Sequence, residues 1–186
     1  WNDLVYRGQW REALEALHST NNFPEFTGRL CPAPCEEACV LGINEPPVTI
    51  KNIENAIIDR GFAEGWITPQ PPPSRTGKRV AIIGSGPAGL SAAHDLALMG
   101  FKPTVFELEK VTAGMLAVGV PAYRLPRELI EKEVKVIEAL GVEIRNGVRI
   151  GKDVSFPTLR KDFDAVIIAV GAKSSRGLGL PGENGP

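Results

Sequence analysis

The fold is decided by the stretch Lys78-Arg79-Val80-Ala81-Ile82-Ile83, which runs directly into Gly84-Ser85-Gly86-Pro87-Ala88-Gly89-Leu90. The apolar run ahead of Gly84 predicts a buried strand, and apolar residues at helical spacing after Gly89 predict a helix. A strand, a glycine turn and a helix start, in that order, are typical of a dinucleotide-binding unit. We therefore expect a Rossmann-like α/β domain around this stretch.

Each glycine of this turn has a physical task in such a unit. Gly84 allows the tight turn, Gly86 keeps a side chain out of the path of a pyrophosphate, and Gly89 lets the helix pack closely on the strand. The first amides of the helix then face the anion, and proline is tolerated at the first helical position. The residues expected to bind the cofactor here are Gly84, Gly86, Pro87, Ala88, Gly89 and Leu90.

An acidic residue follows at the distance that the motif requires. A second strand is predicted over residues 102–108, and it carries Glu107 about twenty residues after the glycines. A carboxylate there accepts a hydrogen bond from a ribose 2′-hydroxyl and disfavours the 2′-phosphate of NADP. A purely structural glycine turn, and a merely solvated Glu107, are the alternatives.

Composition excludes several classes of protein. The 186 residues carry a formal net charge of −1, which argues against a nucleic-acid-binding footprint. No apolar run approaches the roughly 18 residues of a membrane helix, and no basic-then-apolar leader is present. We therefore expect a cytoplasmic protein.

The cysteines form the second informative motif, Cys31-Pro32-Ala33-Pro34-Cys35-Glu36-Glu37-Ala38-Cys39. An odd number of cysteines at such short spacing does not suit a disulfide framework. Soft thiolates in this pattern suit iron–sulfur or zinc, and the alternative is three free cysteines. Three thiolates are one short of the usual four ligands, so a further ligand must come from elsewhere.

The chain divides into two domains. We expect a small helical domain over residues 1–68, a proline-rich linker over 69–76 and an α/β domain over 77–186. Helices are predicted over residues 11–18, 50–62 and 126–140, and a turn-rich loop over 21–30. Short strands are predicted over 142–144 and 148–150, followed by a buried strand over 165–172.

Two further stretches and one arginine are candidates for the cofactor site. Residues 113–121 form a glycine-punctuated loop, longer than a simple connection, that contains Gly114, Met115 and Leu116. Arg124 could meet a phosphate or simply face water. The strand ending at Gly171 would let the backbone come close to a ligand, although such a strand is also routine core.

Residues 28–39, 48–54 and 80–90 together resemble the glutamate synthase small (beta) subunit family. Its relatives are the N-terminal half of dihydropyrimidine dehydrogenase and the flavin subunits of NADPH:ferredoxin-type oxidoreductases. The resemblance implies a helical iron–sulfur domain, then an FAD domain interrupted by an NADPH domain, which we expect to be absent because no second glycine motif follows Gly171.

The same resemblance implies roles for individual residues. Gly86 to Gly89 would hold the FAD pyrophosphate and Glu107 the adenosine ribose. The flavin side would be lined by Gly114, Met115, Leu116 and Arg124, with Ile150 near the adenine and the segment ending at Gly171 returning to the cofactor. The family usually has Gly-Gly at Ala113-Gly114 and often Ala-Thr-Gly at Ala169-Val170-Gly171.

For the metal site, the resemblance implies two 4Fe-4S clusters. Cys31, Cys35 and Cys39 would be divided between them, further cysteines would precede Trp1, and Glu54 lies at the position of a non-cysteine ligand in one relative. Electrons would pass from NADPH through FAD and the clusters to the large subunit of glutamate synthase. A different electron acceptor, a non-enzymatic dinucleotide-binding module and a zinc site remain the alternatives.

Overall fold

A computed structural model describes residues 1–173, 176–181 and 183. The helices are α1 (Asn2–Tyr6), α2 (Trp10–His18), α3 (Pro24–Leu30), α4 (Pro34–Glu37), α5 (Ile50–Ala63), α6 (Pro87–Leu98), α7 (Met115–Val118), α8 (Arg127–Ala139) and α9 (Phe156–Asp162). The strands are β1 (Arg79–Ile83), β2 (Lys102–Glu107), β3 (Glu143–Asn146) and β4 (Ala165–Ile168), and a short 3₁₀ turn covers Val40–Ile43. The helices predicted over 11–18, 50–62 and 126–140 therefore form as α2, α5 and α8.

The four strands make one parallel sheet in the order β3-β2-β1-β4. Helices α6 and α8 cover one face, and α9 covers the other. From β1 the chain adds β2 and then β3 on one side, and it then returns to place β4 on the other side of β1. The gap between β1 and β4 is therefore the topological switch point of the sheet. In open α/β sheets a ligand binds beyond the carboxyl ends of the strands at such a point, which is where the glycine turn lies.

The N-terminal helices pack on the same face as α6 and α8. Phe23 and Phe26, next to and within α3, belong to the apolar cluster that contains Leu90, Ile130 and Ile137 of the α/β domain. The amide of Asn22 donates to Ser91 Oγ at 2.9 Å and to Asp95 Oδ1 at 2.8 Å on α6. A second apolar cluster packs α2 against α5 within this helical layer. The predicted linker, residues 69–76, contains no helix or strand.

Three sequence predictions are wrong in detail. Residues 24–30 form α3 instead of a loop, with Pro24 at the first helical turn. Residues 148–150 form no strand; Ile150 makes only an isolated bridge to Val154. The strand predicted as buried over 165–172 is shorter, and Ile168 is 65% exposed because β4 lies at the edge of the sheet formed by the described residues.

None of the described helices combines the length and the apolar character that crossing a membrane requires.

Candidate functional site

The glycine turn after β1 is shaped by two close backbone approaches. Gly84 has φ of +105°, and a Cβ there would collide with the carbonyl oxygen of Ala169. A Cβ on Gly89 would collide with the carbonyl oxygen of Gly84. The turn therefore packs against the end of β4 on one side and against α6 on the other, and both positions require glycine.

Gly86 differs from its two neighbours in the motif. Its φ of −64° is accessible to any residue, and a Cβ built on it has no atom within 4 Å. Gly86 caps α6, whose exposed first residues are Pro87 and Ala88. Since the first amides of a helix lack carbonyl partners within it, this open backbone is suited to an anion such as a pyrophosphate.

Leu90 does not share this position. Its side chain is fully buried in the core, and its N–H donates to Gly86 O at 2.9 Å. The side chain of Leu90 therefore packs α6 onto the sheet, and its predicted role as a cofactor contact stays a prediction.

Glu107 lies directly beside the turn. Its Oε2 accepts from Ser85 N at 2.8 Å and from Ser85 Oγ at 2.6 Å, and its Oε1 accepts from Glu109 N at 2.8 Å. A carboxylate offers about four acceptor positions, so roughly one is left, on Oε1. The ammonium of Lys173 lies 3.9 Å from that oxygen.

These donors keep the Glu107 carboxyl ionised. Burial raises the pKa of its carboxyl, but the hydrogen bonds from Glu109 and Ser85, together with the Lys173 ammonium, outweigh burial and bring the pKa below its ordinary value. Glu107 is therefore an anion at neutral pH. A ribose hydroxyl can donate to an anionic acceptor more strongly than to a neutral one.

Ser85 connects three segments, a role that sequence reasoning missed. Besides its two bonds to Glu107, its Oγ accepts from Ala113 N at 3.0 Å, and Ser85 is fully buried. The glycine turn, the end of β2 and the loop after it are thereby joined through one hydroxyl. The motif gives no signal for this role, because the residue between the first two glycines is unrestricted in it.

The loop through Ala113 and Gly114 closes over the glycine turn. A Cβ on Gly114 would lie 3.0 Å from Gly86 Cα, and Gly114 has φ of +52°. Ala113 also has a positive φ, +86°, in a fully buried position. The guanidinium of Arg127, on α8, donates to the carbonyls of Leu116 and Val120 at 2.6 Å each and so fixes the rest of the loop.

The remaining predicted cofactor residues differ in their exposure and in what they pack against. Met115 and Arg124 are exposed, whereas Leu116 lies in the core. Ile150 packs in the cluster between the sheet and α9. Gly171 has φ of +66° and directly follows Ala169 and Val170, whose backbone lies against Gly84.

The cysteine loop does not bring its thiols together at one point among the described residues. Cys31 and Cys39 are half-buried and Cys35 is exposed. Within the part of the chain that the structure describes, no three His, Cys, Asp or Glu side chains come together as a metal site. The division of the three cysteines between separate clusters stays a prediction.

Backbone amides lie near two of the three cysteine sulfurs. The N–H groups of Val48, Leu41 and Gly42 approach Cys39 Sγ and lower the pKa of its thiol below the ordinary value. Ala33 N donates to Cys31 Sγ at 3.3 Å, and Ala33 itself has φ of +53° while almost fully buried. Amide donors that favour the thiolate form fit cysteines that ligate a metal or a cluster.

Glu54 faces the helix that carries Cys35. It is half-buried on α5, and its pKa is raised by burial and then by the carboxylate of Glu36 on α4. Glu36 in turn accepts from Lys51 N at 2.9 Å. Glu54 thus lies next to the cysteine loop, and its role as a ligand stays a prediction.

Family profiles match both parts of the chain. Residues 1–66 match the family described as dihydropyrimidine dehydrogenase domain II, 4Fe-4S cluster, and residues 78–186 match the pyridine nucleotide-disulphide oxidoreductase family. The chain therefore belongs to the pyridine nucleotide-disulphide oxidoreductase family, with a 4Fe-4S domain ahead of the Rossmann-like one. The predicted fold class, the oxidoreductase class, and the predicted cofactor classes, a dinucleotide and 4Fe-4S clusters, are confirmed at this level.

More specific similarity points to glutamate synthase. The chain is 54% identical over 183 residues to the glutamate synthase [NADPH] small chain of Mycobacterium tuberculosis, covering 98% of this chain and 38% of that relative. It is 50% identical over 186 residues to glutamate synthase [NADH] of Schizosaccharomyces pombe, covering 99% of this chain and 9% of that relative. The family resemblance predicted from the sequence is confirmed by these identities.

A solved structure shares part of the fold. FprA of Mycobacterium tuberculosis, in complex with NADPH, has a TM-score of 0.53 at 28% identity, covering 58% of this chain and 26% of that one. The chain spans well under half the length of the relatives it matches.

Proposed function

We propose that this chain is the FAD- and cluster-binding segment of an NADPH-dependent glutamate synthase small chain. It would take part in passing electrons from NADPH, through FAD and iron–sulfur clusters, to the subunit that makes glutamate from 2-oxoglutarate and glutamine. The high identity to the mycobacterial small chain over nearly all of this chain supports the proposal.

The observation that carries the proposal is the open backbone at Gly86 beside the anionic Glu107. Gly84 and Gly89 are fixed by packing, whereas Gly86 has free space over the start of α6. Glu107 keeps about one acceptor position within the same turn. An anion binder next to a hydroxyl acceptor matches the pyrophosphate and ribose of a dinucleotide.

When bound, FAD accepts a hydride and releases electrons singly, which is the chemistry that links NADPH to iron–sulfur clusters. The residues of this chain would bind and orient the cofactors. The amides of Ala88 and Gly89 would hold the pyrophosphate, Glu107 the ribose, and the loop anchored by Arg127 would cover the flavin side. Cys31, Cys35 and Cys39, with amide donors at two of the three sulfurs, would hold cluster irons.

The proposed partner is the large subunit of glutamate synthase. The mycobacterial relative is described as a small chain, and in the Schizosaccharomyces pombe relative the matching segment is 9% of a longer glutamate synthase chain. A cluster-bearing segment joined to, or fused with, the glutamate-forming part would give electrons a short path. The N-terminal cysteine loop is the part of this chain that we expect to face that partner.

Gly86→Ala tests the proposal. A methyl group at this position meets no protein atom, so we expect unchanged folding but at least a tenfold loss of FAD affinity, because the methyl occupies the path of the pyrophosphate. FAD retained on purification and the Kd for added FAD, from flavin fluorescence, are the measurements. Gly42→Ala, also at an ordinary φ with room for a methyl, is the matched control.

Three results would contradict the proposal. One is unchanged FAD binding by Gly86→Ala, and another is an equal loss in Gly42→Ala. The third is a colourless natural protein that binds NAD but not FAD, which would favour the non-enzymatic dinucleotide-binding module.

A further inference from the structure

Lys173 links the segment after β4 to the end of β2. Its ammonium donates to Glu109 Oε1 at 2.8 Å and lies 3.9 Å from Glu107 Oε1. Since β1 lies between β2 and β4 in the sheet, this side chain joins the two sides of the glycine turn at the carboxyl ends of the strands. The glycine motif assigns no role to a residue at this position.

Both ends of this link are held by backbone contacts. The carbonyl of Glu109 accepts from Gly147 N at 2.8 Å, which fixes the chain just after β2. The backbone of Ala169, four residues before Lys173, lies against Gly84. The ammonium is therefore positioned beside the turn by its own segment and by the carboxylate that it contacts.

The ammonium keeps donors for a ligand. It carries three N–H groups, and among the described residues it donates one hydrogen bond, to Glu109. Its distance of 3.9 Å to Glu107 Oε1 is too long for a hydrogen bond, so the acceptor position left on Glu107 stays available. The side chain of Lys173 is 33% exposed, so a ligand can reach it.

A donor beside an acceptor suits a hydroxyl group. A hydroxyl both donates and accepts, whereas a phosphate oxygen only accepts and is repelled by a carboxylate. Two atoms 3.9 Å apart leave room for one oxygen at about 2.8 Å from each. Such an oxygen can donate to Glu107 and accept from Lys173, and the hydroxyls of a ribose are oxygens of this kind.

We propose that Lys173 is a cofactor-binding residue that donates to the ribose hydroxyl bound by Glu107, and that Glu109 holds its ammonium in place. The ribose would then be contacted from both sides of the glycine turn, by the end of β2 and by the segment after β4. The inference rests on the proposed dinucleotide site and adds a residue that is distant from Glu107 in the sequence.

Lys173→Met tests this role, because it removes the ammonium and keeps most of the length of the side chain. We expect the Kd for FAD, from flavin fluorescence, to rise about fivefold. The midpoint of urea unfolding should change little, since the side chain is partly exposed. Lys161→Met, at an exposed lysine near the end of α9, is the matched control and should leave the Kd unchanged.

The choice of ligand separates a ribose contact from a structural role. ADP carries both phosphates and both ribose hydroxyls, whereas 2′,3′-dideoxy-ADP carries the phosphates alone. In competition with FAD, the wild-type protein should prefer ADP, and Lys173→Met should reduce this preference about fivefold without changing the binding of the dideoxy compound. Glu109→Gln should weaken ADP binding less, and it should add nothing in the Lys173→Met background.

Chemical modification of the wild-type protein decides the matter if Lys173→Met does not fold. We expect ADP to protect Lys173 from acetylation by acetic anhydride, and 2′,3′-dideoxy-ADP to protect it much less. Mass spectrometry of the digested protein measures the acetylated fraction. Equal acetylation with ADP, with the dideoxy compound and without either would overturn the inference.

Two binding results would overturn the inference alone. One is a wild-type protein that binds FAD together with a Lys173→Met variant that binds it equally. The other is an equal loss for ADP and 2′,3′-dideoxy-ADP, which would show that Lys173 does not contact the ribose hydroxyls. A wild-type protein that binds neither FAD nor ADP would instead contradict the proposed function, and the inference with it.

Discussion

Ala113 occupies a backbone conformation that ordinarily belongs to glycine. Its φ is +86°, its side chain is fully buried, and its N–H is held by Ser85 Oγ at 3.0 Å. A non-glycine residue at positive φ is strained, and it persists only where neighbours fix it. The hydrogen bond to Ser85 and the adjacent Gly114 supply that constraint. The sequence carried one clue, because the resembling family usually has glycine at this position.

Ala113→Gly is therefore expected to stabilise the protein by about 1 kcal/mol. Relief of the positive φ is worth about 1–3 kcal/mol, and the added freedom of glycine in the unfolded chain costs about 0.5–1 kcal/mol. Urea unfolding at neutral pH measures the difference. Ala56→Gly, on the exposed face of α5, should instead destabilise by about 0.5–1 kcal/mol. Destabilisation by Ala113→Gly would show that the strain is smaller than its φ implies.

The elements around the site follow from the sequence to different extents. The apolar run of β1 and the glycine pattern specify β1, the turn and α6 strongly, since both strand burial and close packing are local requirements. Helix α3 was missed because it has only seven residues and begins at proline, within a segment rich in turn formers. The exposure of β4 could not be predicted, because the burial of a strand depends on its neighbours in the sheet.

Helix α6 packs closely against the end of β1 at Gly89. Gly89→Ala should destabilise the protein by about 1–3 kcal/mol, because its methyl group would collide with the backbone carbonyl of Gly84, which cannot rotate away. Chemical denaturation measures the loss. Gly86→Ala, in the same turn but with open space, should change the free energy of unfolding by less than about 0.5 kcal/mol. Equal effects of the two substitutions would contradict the different tasks assigned to these glycines.

At the scale of the molecule, the two predicted domains share one apolar core. Phe23 and Phe26 extend from the helical layer into the cluster on α6 and α8, and Asn22 adds hydrogen bonds to α6. The proline-rich segment, residues 69–76, predicts two separable domains, but the shared core depends on contacts that are distant in sequence.

A shared core implies that the helical layer and the α/β domain unfold together. We expect tryptophan fluorescence, which reports only residues 1–66, and far-ultraviolet circular dichroism, which reports all helices, to give the same urea midpoint. Phe26→Ala should cost about 3–5 kcal/mol and separate the two transitions. Separate transitions in the wild-type protein would show that the contact contributes little to stability.

The edge strand β4 has one further consequence. Among the described residues it pairs with β1 alone, and Ile168 is exposed at its end. The unpaired backbone on its outer side can accept another extended segment, from the same polypeptide or from a neighbouring molecule. Samples of these 186 residues should therefore be handled as prone to intermolecular strand addition, with crystals or fibrils as two forms that such pairing can take.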